Sequence, residues 1–373
     1  LLAMAGVFCG LVSPVAAQAV AVTEYPIPTG GGSPTGIAAG PDGALWFTEK
    51  NADKVGRITT AGAITEFPLQ NSGAAPNFIT TGSDGALWIT EVGANAIGKA
   101  ASTTIFAIPT ANSGASRIVS GSDGALWFTE NSAGNIGRMT IAGAFLEYPV
   151  GGGPIGIAAG PDGALWFAKS LQGSIGRITT AGVITEFPLP TSNSQPWGIA
   201  TGPDGALWFT QANSNKIGRI TTAGVIAEYP IPTANAGLGE ITAGPDGAIW
   251  FSEAGADKIG RITTGGVIYE RALNVGSHPG DIAAGPDGAL WFTEIFVDKI
   301  AKAVPSGFPA SWAVANLADF TADSKKDILW RNSAGAAVVS RMNGATIVSS
   351  TYIATLPQTW QIAGTGDVAG SGK

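Results

Sequence analysis

A single phrase recurs seven times along this chain and constrains its fold more than any other feature. The phrase reads Gly-Pro/Ser-Asp-Gly-Ala-Leu/Ile-Trp, and its Trp falls at positions 46, 88, 127, 166, 208, 250 and 291. Successive Trp residues are 42, 39, 39, 42, 42 and 41 positions apart. A period of about 40 residues that carries four short strands is typical of a β-propeller blade. The repeat therefore predicts an all-β chain folded as a seven-bladed β-propeller with four-stranded blades.

The fifth unit shows how each repeat divides into strands a, b, c and d. Strand a begins at Trp197, and strand b follows the tight turn at 203–205, where Pro sets φ and Gly accepts a positive φ. Strand c begins at Lys216, and strand d follows the Ala-Gly turn at 223–224. The repeated Trp and Leu are expected to form the core between blades, since stacked sheets need large apolar side chains. The repeated turn Asp is expected to cap its own turn.

The number of d strands indicates how the ring closes. Six of them lie between successive a–b–c units, and a seventh candidate lies at the front of the chain, at 22–27. No such strand follows the last strand c, near 299–303. We therefore expect the N-terminal strand to complete the last blade, which hides the exposed sheet edges of an open ring. The propeller is predicted to cover residues 20–303.

The composition excludes several other classes of protein. Of the 373 residues 54 are Gly, 45% are hydrophobic and only 13% are charged. Disorder requires low hydrophobicity and high charge, and a coiled coil is rich in Ala, Glu, Lys and Leu. The net charge is −7 and no basic stripe is present, so nucleic acid is not an expected partner.

The first 19 residues have the pattern of a secretory signal peptide. An apolar stretch over residues 1–12 precedes small residues that end in Ala17-Gln18-Ala19, and no basic segment stands in front of it. The stretch is too short for a transmembrane helix, which needs about 20 apolar residues. Cys9 is the only cysteine, so the mature chain would have no disulfide. We therefore expect a truncated signal peptide at 1–19, no transmembrane segment, and a secreted, periplasmic or cell-envelope protein.

Two repeat positions vary on the face that carries the d–a and b–c loops. In a four-stranded antiparallel blade, the start of strand a and the end of strand b lie at the same edge. The first variable position is the x of Pro-x-Gly-Ile: Thr35, Asn77, Ser116, Ile155, Trp197, Gly239 and Gly280. The second follows strand b: Glu49, Glu91, Glu130, Lys169, Gln211, Glu253 and Glu294.

These variable positions suggest a ligand-binding face. Five Glu side chains are expected to encircle the mouth of the channel, near Trp197, His278, Arg117, Glu240 and Asp281. Such a ring of carboxylates holds a cation such as Mg²⁺ or steers a polar ligand. The alternative is that each Glu pairs with a neighbouring cation or backbone N–H and has no function in binding.

The phrases Gly-Pro-Asp-Gly-Ala-Leu-Trp-Phe-Thr-Glu, Lys-Ile-Gly-Arg-Ile-Thr-Thr and Ile-Thr-Glu-Phe-Pro-Leu-Pro resemble the streptogramin B lyase (virginiamycin B lyase) family over about residues 20–303. The resemblance implies the seven-bladed fold. It also implies Mg²⁺-assisted elimination that opens a cyclic depsipeptide antibiotic in the members with known activity.

The resemblance also indicates where the catalytic residues of the family would fall. The two His positions of the family are Gly239 and Gly280 here, and a Tyr position is Thr35. A Glu two places before the second His corresponds to His278, the only His in the chain, and a Glu after strand b of the last blade corresponds to Glu294. Elimination needs a base at the proton α to a carbonyl, and Gly280 has no side chain to serve as one.

The C-terminal segment, 304–373, departs from the repeat and resembles a partial FG-GAP/VCBS (integrin-like) repeat. Oxygen ligands at loop positions 1, 3, 5 and 9 would come from Asp319, Thr321, Asp323 and Asp327. This spacing suits Ca²⁺, and the alternative is an Asp-rich turn without metal. A second copy begins at Asp367 and stops at Lys373, so we expect the natural chain to continue.

The sequence favours an exported, monomeric binding or scaffold protein without an organic cofactor. Its ligand on the propeller face would be a small molecule, a glycan or a protein. The alternative is a metal-assisted carbon–oxygen lyase that uses His278 and Glu294, with a metal at Glu253 or Glu294. A third hypothesis is a purely structural envelope protein. No serine triad, zinc spacing or phosphate loop is recognisable.

Overall fold

The structure is a computed structural model that describes residues 20–100, 102 and 104–305. It also describes the backbone of four later strands, at 313–318, 327–331, 336–343 and 346–355. The predicted signal peptide at 1–19 lies outside the described residues.

The first half of the chain forms one strand and three complete four-stranded sheets. The first strand is β1 (Val20–Pro26). Blades one to three follow it: β2 (Pro34–Ala39), β3 (Leu45–Glu49), β4 (Lys54–Ile58), β5 (Ile64–Pro68), β6 (Pro76–Thr81), β7 (Leu87–Glu91), β8 (Ala96–Lys99), β9 (Ile105–Ala107), β10 (Ala115–Ser120), β11 (Leu126–Glu130), β12 (Asn135–Met139) and β13 (Phe145–Pro149).

The second half continues the same order through blades four to seven. Their strands are β14 (Pro154–Ala159), β15 (Leu165–Lys169), β16 (Ser174–Ile178), β17 (Ile184–Pro188), β18 (Pro196–Thr201), β19 (Leu207–Gln211), β20 (Lys216–Ile220), β21 (Ile226–Pro230), β22 (Leu238–Ala243), β23 (Ile249–Glu253), β24 (Lys258–Ile262), β25 (Ile268–Ala272), β26 (Pro279–Ala284), β27 (Leu290–Glu294) and β28 (Lys299–Pro305). A single turn of 3₁₀ helix, Ala254–Ala256, joins β23 to β24.

Each blade is an antiparallel sheet whose strands follow chain order from the centre outward, and the seventh is closed by the N-terminal strand. Its sheet order is β1-β28-β27-β26, and β1 pairs with β28 from Val20↔Pro305 to Pro26↔Lys299. The innermost strands of neighbouring blades contact one another around the ring. The predicted seven-bladed fold and its circular closure are confirmed.

The repeated apolar residues form the core between adjacent blades, as predicted. Trp208 of blade five packs in one cluster with Leu238, Ile249 and Phe251 of blade six. Six of the seven repeated Trp side chains are at most 1% exposed, and Trp46 is half-buried. This contact repeats from blade to blade, so each sheet buries its face against the next one.

The repeated turn Asp does more than cap its turn. In blade five Asp204 Oδ1 accepts a hydrogen bond from Trp208 Nε1 at 3.0 Å, and Oδ2 accepts one from Arg219 Nε at 2.7 Å. Burial acts to raise the pKa of Asp204, but these hydrogen bonds outweigh it, so the pKa lies below its usual value. The Asp therefore ties the a–b turn to both strand b and strand c.

A β-bulge at the start of strand a changes the direction of the side chains on the predicted binding face. In blade five Pro196 pairs with Gln211 and Ile199 pairs with Phe209, so two residues of strand a oppose one residue of strand b. That single residue, Thr210, accepts a hydrogen bond from Gly198 N at 3.0 Å and donates one to Gly239 O of the next blade at 2.7 Å. The bulge re-aims the x position of the repeat toward the channel axis.

Beyond the propeller, four strands form a further antiparallel sheet. They are β29 (Ala313–Ala318), β30 (Asp327–Arg331), β31 (Ala336–Asn343) and β32 (Thr346–Thr355), paired in chain order. Asp327 is the first residue of β30, and Asp319, Thr321 and Asp323 lie outside the described residues. The Ca²⁺ loop therefore stays a prediction.

Candidate functional site

A cavity of about 560 Å³ lies at the centre of the face that carries the d–a and b–c loops. All seven x positions of the repeat line it: Thr35, Asn77, Ser116, Ile155, Trp197, Gly239 and Gly280. The bulge in each strand a accounts for this convergence, because it turns each x residue toward the axis. The cavity is thus built from seven equivalent positions that the sequence fills differently.

The wall of the cavity is mostly apolar and aromatic. Phe78, Ile155, Trp197, Leu238 and Ile295 line it. Small-molecule sites commonly combine such walls with a few convergent polar groups, and their volumes begin at about 300 Å³. The cavity has the size and the lining of a small-molecule site.

The floor of the cavity comes from the position after x, where the repeat normally has Gly. A Cβ added at Gly36 or Gly156 would approach the backbone of the next blade to 2.6 Å or 2.3 Å, so those blades need Gly. Blades two, three, six and seven have larger residues at this position: Phe78, Arg117, Glu240 and Asp281. These four side chains form one contact group at the centre of the ring.

Arg117 crosses the channel to reach blades six and seven. Its Nη2 contacts Glu240 Oε2 and lies 2.7 Å from Asp281 Oδ1, and its guanidinium lies 4.3 Å from the Phe78 ring centroid. Asp281 also accepts hydrogen bonds from the backbone N–H groups of Ile37 and Ile282, at 2.9 and 3.0 Å. The ion pairs therefore connect opposite sides of the ring beneath the cavity.

His278, the only imidazole in the chain, lines the same cavity. Its backbone has φ 44°, in the left-handed region, and its N–H donates to Asp257 Oδ1 at 2.8 Å. Its ring stacks on Phe296 with the centroids 4.2 Å apart. These contacts fix His278 at the edge of blade seven, two residues before Gly280.

The residues at the end of strand b are not where we expected them. The set expected at the channel mouth is at most 1% exposed, and none of it lines the cavity: Glu49, Glu91, Glu130, Lys169, Gln211, Glu253 and Glu294. In blade one the d–a loop folds over Glu49, since Lys50 N donates to Ser33 O and Asn51 N donates to Gly32 O. The expectation that these side chains encircle the channel mouth is therefore wrong, whereas the seven x positions, His278, Glu240 and Asp281 do line the cavity.

Burial changes the acidity of these Glu side chains. Burial raises the pKa of Glu49, Glu130 and Glu253 to about 7, and a second Glu on the outer strand of the same blade adds to the effect. Both carboxyl oxygens of Glu49 and Glu253 lack a hydrogen-bond partner in the described part of the chain. The neutral acid is therefore the favoured form of these two side chains below about pH 7.

Blade four has a cation instead of a carboxylate at this buried position. Lys169 replaces Glu at the end of strand b, and Ser174 stands opposite it, where four other blades have Lys. The Lys169 ammonium lies 2.5 Å from Glu186 Oε1 on the outer strand. Lys169 therefore forms a local ion pair with the outer strand of its own blade.

The residues present do not fit a bound Mg²⁺. Within the described ranges no three His, Cys, Asp or Glu side chains lie close enough together to hold a metal ion. Glu294 and Glu253 are buried outside the cavity that His278 lines. The carboxylates that do line the cavity are Glu240 and Asp281, and both are already paired with Arg117, so they are not free oxygen ligands for Mg²⁺.

Fold and site together define a seven-bladed propeller with a cavity on one face and an ion-paired floor. A family model described as the virginiamycin B lyase family matches residues 16–152, 99–302 and 150–359. The chain belongs to this family.

Solved structures agree with this assignment. A streptogramin B lyase structure is 41% identical, with a TM-score of 0.72, and the match covers 76% of this chain and 97% of that one. A catalytically inactive virginiamycin B lyase variant from Staphylococcus aureus with quinupristin is 40% identical, with a TM-score of 0.73, covering 77% and 99%. No helix among the described residues is long and apolar enough to span a membrane.

Proposed function

We propose that this chain is a ligand-binding member of the family that takes a small molecule into the cavity and does not open a cyclic depsipeptide. The observation that carries the proposal is the lining of the cavity. Gly239 and Gly280 occupy the two x positions where the resemblance places the catalytic His residues, so neither supplies a base there. The cavity keeps an aromatic wall with Trp197, which suits binding.

The lyase alternative is favoured by one observation, namely that His278 lines the cavity. A relocated imidazole at this place would serve as the base for proton abstraction. Its expected helper, Glu294, is buried outside the cavity, which weighs against a joint catalytic role.

The decisive experiment is incubation of the purified chain with quinupristin, with and without Mg²⁺, followed by mass analysis of the antibiotic. We expect the intact ring to persist in both reactions. Ring opening that His278→Ala abolishes would establish the lyase and refute the binding proposal.

Binding itself is tested by thermal shift with a panel of aromatic small molecules. We expect Trp197→Ala to reduce the shift that binding compounds cause, because it removes the large ring of the cavity wall. Leu171→Ala is the matched control, since Leu171 is exposed and lies outside the cavity. A glycan or a protein as the true ligand would appear as an unchanged shift for every compound in the panel.

We also propose that the protein is exported, on the strength of the apolar segment before Ala17-Gln18-Ala19. Expression of the chain with its native leader in a bacterial host, followed by N-terminal sequencing of the periplasmic fraction, tests this. A product found only in the cytoplasm with residues 1–19 retained would contradict export.

A further inference from the structure

The cavity floor carries more negative than positive charge. Glu240 and Asp281 line the cavity and are 5% and 3% exposed. Arg117 is the cation that pairs with both of them. One guanidinium against two carboxylates leaves one uncompensated negative charge in a region from which water is largely excluded. Buried charge of this kind favours a counter-ion, because desolvation without a partner is costly.

The two carboxylates differ in their capacity to accept a further partner. Asp281 already accepts from Arg117 and from two backbone N–H groups. Glu240 contacts Arg117 through Oε2 and accepts a hydrogen bond from the Trp197 side chain, so it has fewer donors than Asp281. Burial raises the pKa of Glu240, although Arg117 acts to lower it. Glu240 is therefore the acidic group of the floor that is most open to a ligand.

Other charged groups of the cavity lie nearer its rim. Lys50 follows strand b of blade one and is half-buried, and His278 stands at the edge of blade seven. Neither makes a salt bridge with Glu240 or Asp281 within the described structure. The floor is thus acidic and deep, whereas the basic groups are shallower and closer to solvent.

The geometry points to a ligand with an aromatic or apolar body and a cationic amine, whose amine meets Glu240 at the floor while its body lies against Trp197 and Phe78. This inference rests on the proposed binding function and goes further by naming the ligand class. The amine would restore charge balance beneath the cavity, and the aromatic walls would cover the body.

The test uses probes that share one ring and differ in charge: tryptamine, neutral 3-ethylindole and indole-3-propionate. Titration calorimetry with the full chain at neutral pH is expected to rank their affinities in that order, with tryptamine about tenfold or more above the acid. Glu240→Gln removes the charge and keeps the shape, so it is expected to abolish the preference for the amine. Glu186→Gln, the same substitution at an exposed residue of β17 outside the cavity, is the control and is expected to leave that preference intact.

Each other outcome has a defined meaning. Equal affinities, or a preference for the acid, in the unmodified protein would overturn the amine inference and leave the binding proposal standing. A preference for the amine that persists in Glu240→Gln, or that Glu186→Gln removes equally, would also overturn it. Binding by none of the three probes would overturn the amine inference, and the thermal-shift panel with Trp197→Ala decides separately whether the cavity binds small molecules. The ranking in the unmodified protein decides the question even where Glu240→Gln fails to fold.

Discussion

Glu253 illustrates, at the scale of one residue, how burial sets the chemistry of a side chain. It is 0% exposed, neither carboxyl oxygen has a hydrogen-bond partner among described residues, and burial raises its pKa from 4.5 to about 7. A group whose pKa is higher in the folded state stabilises the fold below its unfolded pKa. That contribution is lost as pH rises through the folded value.

We therefore expect Glu253→Gln to flatten the pH dependence of stability between about pH 4.5 and 7. The unmodified chain should lose about 2–3 kcal/mol more than the variant on going from pH 4.5 to 8, by the usual energy of a pKa shift. Urea unfolding at both pH values measures this difference.

Glu228, on the outer strand of blade five, is the matched control, because Gln211 replaces the buried Glu in that blade. Burial acts to raise the pKa of Glu228, but hydrogen bonds from Thr191 and Lys216 outweigh it, so its pKa is lowered. Its contribution is present above its unfolded pKa and is lost as pH falls, so Glu228→Gln should destabilise the chain more at pH 8 than in acid. Identical pH profiles for the two variants would contradict the burial argument.

The sequence predicted only part of the candidate site, because some of its residues depart visibly from the repeat whereas the burial of others depends on loop folding. Trp197 and His278 were identified because they depart from a near-identical repeat, and both line the cavity. The burial of Glu49 and its equivalents was missed, since it depends on loops that fold over strand ends. Phe78 was also missed, although its place in Pro-x-Gly-Ile, where Gly is usual, was a readable signal.

At the scale of the element, the strand a bulge is the unit that builds the cavity. The periodicity of Trp, turn Asp and apolar residues was enough to predict all four strands of each blade. The bulge was not predicted, because an extra residue in one strand leaves no mark in a hydrophobic pattern. Thr210 closes the bulge of blade five and also holds Gly239 O of blade six.

Thr210→Val tests this role, because Val keeps the shape of Thr and loses its hydroxyl. We expect a loss of about 1–3 kcal/mol in the free energy of unfolding, since buried backbone groups of Gly198 and Gly239 lose their partner. Chemical denaturation measures the loss. Thr222→Val, at an exposed turn position, should change stability little. Equal effects of the two substitutions would show that the bulge does not depend on this hydroxyl.

At the scale of the whole molecule, Arg117 links opposite sides of the ring through ion pairs. Its partners Glu240 and Asp281 lie 123 and 164 residues further along the chain, in the blades opposite its own. Arg117→Met would leave both buried carboxylates without their cation. Removal of one partner of a buried ion pair commonly costs about 3–5 kcal/mol.

We expect Arg117→Met to lower the thermal midpoint strongly at pH 7 and less at pH 5, where protonation of Glu240, whose pKa burial raises, removes its unpaired charge. Arg177→Met is the control, since Arg177 pairs with Asp162 at the partly exposed edge of blade four and its loss should cost about 1 kcal/mol or less. If Arg117→Met lowered the thermal midpoint as much at pH 5 as at pH 7, the stabilisation by Arg117 would not be electrostatic.

The pairing of β1 with β28 also determines where anything joined to the ring is attached. Val20 faces Pro305 in the register, so the two points of attachment are neighbours. Strand b ends and strand a begins at the cavity face. Strand c of blade seven, β28, starts at that face and runs away from it, and β1 starts at the opposite face. The segments that precede Val20 and follow Pro305 are therefore joined to the propeller at neighbouring points on the face opposite the cavity.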